Sequence, residues 1–252
     1  MSAMALSART AGLRRKVFGV ANALLDLVYP PVCAGCRGRH ASGATPTLCE
    51  ACRGRLAFIE ESCPRCGQAL GPFASGRKAC PTEHRGLVFR EAAAVCRYEG
   101  VAADLVRAFK FGRDMRALEA MAPLLIQRLE ETAFTPKIDV VVPVPLHWLR
   151  RAWRRFNQAE LIGERIADAL SLAFEPDALK RSRYTIPQYQ LASRERGKNL
   201  AGAFKVRDPG EVRDAAVLLV DDVMTTCSTA RECARALRAA GARATYVAVF
   251  AR

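Results

Sequence analysis

Beyond residue 85 the apolar positions of this chain follow two alternating rhythms. Glu91–Tyr98 is an apolar run of strand length, and Ala102–Phe109 repeats with the period of a helix. Residues 115–131 place Leu118, Met121, Leu125 and Leu129 in phase on one helical face. Val140–Val144 reads as a short buried strand and Ala159–Leu170 as a helix. Ala216–Val220 is the most apolar strand; Thr229–Ala240 is a helix and Ala244–Phe250 a last strand. Strands that alternate with helices predict an α/β fold, a mostly parallel sheet with helices on its faces. In such sheets ligands gather at the carboxyl ends of the strands.

The rhythm is absent upstream. From Cys33 to about His84 the chain is punctuated by Gly and Pro and is too loop-rich to build an apolar core of its own. Before it, Leu13, Val17, Val20, Ala21, Leu24 and Val28 share one face of a helix over 11–28, flanked by Arg14, Arg15 and Lys16 and ended by Tyr29-Pro30-Pro31. This apolar stretch is too short to span a bilayer. Its face suits packing on the body of the protein, although an Arg-rich, acid-poor start is shared with transit peptides and membrane-surface helices. The chain thus divides into an amphipathic helix (1–30), a cysteine-rich module (31–84) and an α/β domain (85–252).

Composition adds two constraints. Half of the 252 residues are apolar and a quarter charged, which excludes disorder as the default. The net charge of +14 favours partners that carry phosphate, nucleic acid among them, while a generally basic solvated surface accounts for it equally.

Seven of the ten cysteines fall between Cys33 and Cys80, mostly as C-x-x-C pairs with no secretory signal ahead of them. That pattern reads as metal sites in a cytoplasmic protein rather than disulfides. Cys33-x-x-Cys36 and Cys49-x-x-Cys52, twelve residues apart, suit one Cys₄ zinc site. A closed Cys₄ shell leaves no open position, so that zinc is structural. Cys63-Pro-Arg-Cys66 forms a further knuckle, which Cys80 and His84 complete as a Cys₃His site. The alternatives are a surface His84 beside a decayed site, or knuckles that pair across the two sets. Arg37, Arg39, Arg53, Arg55 and Arg65 lie in or beside the knuckles and suit phosphate contacts, but the segment lacks exposed aromatics for stacking bases. Cys96 and Cys233 sit in apolar surroundings and read as core.

The densest chemical signal is Val217-Leu-Leu-Val-Asp-Asp-Val-Met-Thr-Thr-Cys-Ser-Thr-Ala230. An apolar strand runs into two carboxylates, then into Thr225, Thr226, Cys227, Ser228 and Thr229 at the start of a helix. Hydroxyls and backbone N–H groups at a helix N-terminus stabilise a phosphate. Asp221 and Asp222 beside such a cradle suit the 2′- and 3′-hydroxyls of a ribose 5-phosphate. The structural alternative is a capped helix after a buried strand.

This run resembles the phosphoribosyl pyrophosphate motif of type I phosphoribosyltransferases. Val142-Pro-Val-Pro-Leu-His147, Arg155-Phe-Asn-Gln158, and Pro187-Gln188 followed by Arg196-x-x-Asn199 and Gly202-Ala-Phe204 extend the likeness, in order, to the ComF competence family. The resemblance covers about Leu24 to Arg252. It implies a double zinc ribbon over 31–84 and a phosphoribosyltransferase-type domain over 85–252, binding phosphoribosyl pyrophosphate with Mg²⁺. Val144 and Pro145 would lie in the turn to His147 that approaches the pyrophosphate, with Arg150 and Arg151 close behind. Gln188–Phe204 would be a hood bringing Arg194, Arg196 and Lys198 to the pyrophosphate. Asp221 and Asp222 would orient the ribose while pyrophosphate leaves C1. The family role implied is cytosolic DNA uptake in natural transformation, with single-stranded DNA and other competence proteins as partners. The competing reading is a non-catalytic zinc-ribbon nucleic-acid-binding or scaffold protein with a vestigial pocket.

The chain departs from the family in carrying Cys227 and Arg155 where glycine is usual. Glycine at the first position permits positive φ and close phosphate approach. A thiol there is expected to narrow the cradle, and a helix N-terminus to lower its pKa towards a thiolate that repels phosphate. Of the two roles open to Cys227, redox control and an inert small residue, the second is preferred.

Overall fold

A computed structural model describes residues 32–39, 47–71, 80–82, 84–146, 156–182 and 200–252. The helix expected over 11–28 lies outside these residues. So do His147, Arg150, Arg151 and Arg155, and the stretch 183–199 with Arg194, Arg196 and Lys198.

Five strands form one parallel sheet: β1 (Ala92–Cys96), β2 (Val140–Pro143), β3 (Ala173–Phe174), β6 (Ala216–Val223) and β7 (Ala244–Ala251), in the order β1-β7-β6-β2-β3. β4 (Leu179–Arg181) and β5 (Phe204–Val206) make a separate antiparallel pair. Among the described residues the helices are α1 (Glu50–Gly54), α2 (Gly100–Gly112), α3 (Met115–Glu130), α4 (Gln158–Leu170) and α5 (Ser228–Ala239). The alternation read from the apolar pattern is therefore the alternation observed. The additions, α1 and β3–β5, are two to five residues long and carry no measurable period.

β6 is apolar along both faces because both are covered, as a central parallel strand requires. Successive side chains point to opposite faces, which divides the interior in two. On one face Ala93, Val95, Leu218, Val220, Tyr246 and Phe250 pack with the apolar stripes of α2, α3 and α4. On the other, Ala92, Ala94, Val217, Leu219, Val247 and Val249 pack with α5 and the β4–β5 pair.

The cysteine-rich module is divided between these cores. Cys33, Leu48, Cys52 and Leu56 belong to the first, whereas Ile59, Cys63 and Cys66 belong to the second. Between them the chain runs antiparallel to β1: Ile59 N–H donates to Val95 O at 2.9 Å and Arg97 N–H to Ala57 O at 2.8 Å. The module thus straddles the outer edge of the sheet and occupies backbone groups of an edge strand that would otherwise invite a foreign strand. Contact on the first face is close. A Cβ at Gly35 would fall 3.0 Å from Cys52 Sγ and 3.2 Å from Val101 Cγ1, so a larger residue would have to displace these neighbours by a few tenths of an ångström.

Two caps set the geometry near the strand ends. The Asp114 side chain accepts from Arg116 N–H at 3.1 Å and starts α3. Buried Asn157 accepts from Ala159 N–H at 3.3 Å to start α4, and its side-chain amide donates to Val144 O at 3.1 Å. One side chain therefore fixes both a helix start and the chain just past β2. Among the described residues no helix is long and apolar enough to cross a membrane.

Candidate phosphate-binding loop and metal centres

At the carboxyl ends of the central strands, residues 223–227 leave β6 and turn into α5. A cleft opens there, lined by Val144, Asp221, the run Thr225–Thr229 and Val249. The sequence-predicted Val144, Asp221, Thr225, Thr226, Cys227, Ser228 and Thr229 are therefore gathered at one place. Thr225 is exposed, and the Thr226 and Ser228 hydroxyls lie 3.0 Å apart. The first-turn N–H groups of α5 have no intrahelical acceptor, which makes this end of the helix suited to an anion.

The turn depends on Cys227, which stands at φ +58°, ψ 2° in the left-handed region. Glycine adopts that conformation freely, whereas a residue with a Cβ does so at a cost of about 1–2 kcal/mol. The chain keeps the turn and buries the side chain, leaving Cys227 2% exposed. Burial pushes its thiol pKa up, outweighing the lowering effect of Arg252. The thiolate expected from a helix N-terminus is thus corrected: desolvation dominates, and Cys227 is a neutral thiol.

The two aspartates separate, as neighbours on a strand must. Asp221 faces the cleft and accepts from Asp222 N–H at 2.9 Å. Asp222 points to the opposite core, 4% exposed, with Lys110 Nζ of α2 at 2.8 Å from its Oδ1. Burial disfavours the Lys110 charge, but Asp222 and Asp221 outweigh it and hold the ammonium above its ordinary pKa. Lys110 escaped the sequence reading because α2 shows only its apolar face to a periodicity search. Its one signal was a lysine at the carboxyl end of a helix that follows the edge strand.

The metal candidates close into two sets. The ligand atoms of Cys33, Cys36, Cys49 and Cys52 lie within 4.8 Å of one another, and so do those of Cys63, Cys66, Cys80 and His84. A tetrahedral ion with zinc–sulfur bonds of about 2.3 Å sets its sulfurs about 3.8 Å apart. Cys36 and Cys49 Sγ are 3.9 Å apart, and Cys66 and Cys80 Sγ 3.5 Å apart, so both sets fit. Cys63 Sγ lies 3.4 Å from His84 Nε2, and the knuckles pair within their sets rather than across them. Burial resists ionisation of Cys33, yet N–H groups of Cys49, Cys36 and Gly35 outweigh it and hold the thiol at about 6. Cys66 is likewise about 6, where burial is overcome by Gln68 N–H, His84 and Arg252.

The arginines of the module divide by role. Arg65 donates to the carbonyls of Phe89, Arg90 and Leu87 and stacks on the Phe89 ring, tying the Cys63–Cys66 knuckle to the approach to β1. Arg55 donates to Cys52 Sγ at 3.3 Å. Arg37 instead lines a groove with Arg107, Asp104 and Phe111 of α2, between that helix and the first knuckle.

Residues 24–85 match the double zinc ribbon domain, in accord with zinc as the metal for both sets. The chain is 31% identical over 232 residues to DNA utilization protein YhgH of Escherichia coli O6:H1, covering 88% of this chain and 96% of that protein. The chain belongs to the ComF family. DNA utilization protein YhgH of Salmonella typhi is 35% identical, over 73% of this chain and 81% of the relative. Competence protein F of Haemophilus influenzae is 32% identical, over 59% and 66%. Among solved structures, the allosteric regulatory enzyme of purine biosynthesis aligns at TM-score 0.37 and 23% identity, over 53% of this chain but 26% of that enzyme. Adenine phosphoribosyltransferase of Leishmania donovani aligns at TM-score 0.35 and 20% identity, over 55% and 53%.

Proposed function

We propose that the β6–α5 loop binds a phosphorylated ribose, phosphoribosyl pyrophosphate with Mg²⁺, in a cytoplasmic protein that serves DNA uptake. The observation that carries this reading is the cleft itself: one inward carboxylate, a hydroxyl-lined turn and a helix N-terminus meet at the carboxyl ends of β2 and β6. Thr225–Thr229 hold the 5′-phosphate by hydroxyl and N–H donors, and Asp221 accepts from the ribose hydroxyls. Val144, held by Asn157, lines the side of the cleft that would face the pyrophosphate, whereas Pro145, next in the chain, is not among the lining residues. The oxygen donors suit Mg²⁺, which takes one or two carboxylates and completes its shell from phosphate and water. Asp221 would hold it, and the ion would offset the pyrophosphate charge. Asp222 acts indirectly: paired with Lys110, it fixes the end of β6 and so the direction of Asp221. The expected hood with Arg196 would close the same cleft.

Calorimetric titration of the zinc-loaded protein with phosphoribosyl pyrophosphate, with and without Mg²⁺, tests the site. Mg²⁺-dependent binding that Asp221→Asn removes, in a variant as stable as the parent, is the expected result. Binding that is absent, or indifferent to Asp221→Asn, refutes it.

A second reading concerns nucleic acid and rests on the groove by the first knuckle. Phe111 is 60% exposed there, with Arg37 and Arg107 beside it. A ring flanked by guanidinium groups suits single-stranded DNA, stacking a base while the arginines meet phosphates. The names of the relatives agree with a DNA role. Fluorescence anisotropy with an oligothymidine should show Phe111→Ala and Arg37→Ala each weakening binding, with a shallower salt dependence only for the arginine variant. Equal affinity in parent and variants rules the groove out.

A further inference from the structure

Arg252 is a buried cation at the join between the phosphate loop and the second metal set. It is 9% exposed, and its backbone is held at the end of β1 by Arg252 N–H to Cys96 O at 2.9 Å and Tyr98 N–H to Arg252 O at 2.9 Å. One guanidinium nitrogen donates to two carbonyls of the phosphate loop, Met224 O at 3.1 Å and Thr225 O at 2.8 Å. The other donates to Thr82 Oγ1 at 3.1 Å, and Thr82 sits between the metal-set residues Cys80 and His84. Nε is buried without a partner among the described residues. No carboxylate among them lies within ion-pair distance of this guanidinium.

A buried guanidinium without a counter-charge is strongly unfavourable. Three thiolates, one neutral imidazole and one Zn²⁺ leave a single net negative charge on the second centre. Arg252 reaches that centre through Thr82, which stands two residues from both Cys80 and His84. One planar fork thus places Arg252 both to offset the charge of a Cys₃His centre and to fix the carbonyls from which the loop turns at Cys227.

We infer that Arg252 is a positioning residue that couples the second zinc centre to the phosphate loop, so that metal occupancy orders the loop and loop occupancy retains the metal. The loop's ligand is taken from the function proposed above, but the coupling itself concerns order in residues 224–229. Because such coupling is reciprocal, whatever factor zinc adds to ligand affinity the ligand adds to zinc affinity. The first centre, on the opposite face of the sheet, lacks this link and serves as an internal control.

The test uses the full chain with both zinc ions and reads two signals: hydrogen exchange of amides 224–229, and zinc release to a chromophoric chelator. Arg252→Met should speed both by about tenfold, the scale of one lost buried hydrogen bond to a charged group, and leave release from the first centre unchanged. Arg252→Lys should restore zinc retention better than loop order, since an ammonium carries the charge without the fork. If Arg252→Met fails to fold, Thr82→Val severs only the metal-side bond and reports the same two signals. With phosphoribosyl pyrophosphate and Mg²⁺ added, zinc release from the second centre of the parent should slow. A parent that binds no phosphoribosyl pyrophosphate removes the proposed function, while the exchange and release measurements still decide the coupling. An Arg252→Met or Thr82→Val variant in which loop exchange and zinc release do not rise together overturns it.

Discussion

Lys110 and Asp222 form a pair that a mutation can split cleanly. Removing the ammonium with Lys110→Met leaves a carboxylate that is 4% exposed without its counter-charge. Loss of one partner from a buried pair costs about 3–5 kcal/mol, and the lysine is partly exposed, so about 3 kcal/mol is the expected loss in urea unfolding. Asp221→Asn, on the cleft side, should leave unfolding nearly unchanged and act on ligand binding instead. An equal stability loss from both would mean that the two carboxylates share one environment. The sequence shows the acidic pair but not its division, because strand alternation separates the side chains while their partner lies more than a hundred residues away. Cys227 teaches a similar lesson. Its left-handed turn is legible from the glycine expected there, but the fate of the thiol depends on burial by distant segments. Cys227→Gly should therefore change phosphoribosyl pyrophosphate affinity less than about threefold in calorimetry, since relief of the turn strain and loss of a buried side chain are each of order 1 kcal/mol. A large gain in affinity would show that the sulfur intrudes on the cradle.

Element by element, the long helices and central strands stand where the apolar rhythm puts them, because tertiary burial and local period agree along α2–α5, β6 and β7. The short β3–β5 strands have too few residues for a period, and their pairing is set by neighbours. The metal sets were legible as ligand types and spacings. Their position on the two faces of the sheet was not, since it depends on the crossing at Ala57–Ile59 beside β1. That placement predicts independence of the two sites. Cys36→Ser should remove one zinc ion in native mass spectrometry and loosen the packing of α2 around Val101, while Cys63→Ser removes the other and loosens the α5 side. Loss of both ions from either single variant would show that the module folds as one unit instead of through the two cores it joins.

For the molecule as a whole, three thiols outside the metal sets make stability depend on pH in one direction. Cys96, Cys227 and Cys233 are all buried, and burial pushes each thiol pKa up: Cys96 to about 12 and Cys233 well above its ordinary value of 9.0. Above pH 9 the unfolded chain releases these protons while the native chain retains them. Native protein then binds more protons than unfolded, so stability is full below pH 9 and falls as pH rises towards 12. Each retained proton lowers the unfolding free energy by about 1.4 kcal/mol per pH unit. Zinc ligands add their own pH dependence on unfolding, which parent and variant share at constant zinc and which therefore cancels in their difference. Cys96 has no metal-set neighbour among its pKa influences, only burial, and its sulfur donates to Phe250 O at 3.4 Å. Cys96→Ala should therefore flatten the decline by about 1.4 kcal/mol per unit between about pH 9 and 10.5, measured by urea unfolding at constant zinc. Parallel declines for parent and variant would mean that the thiol ionises without leaving the fold, and that the core beside the β1 edge admits water.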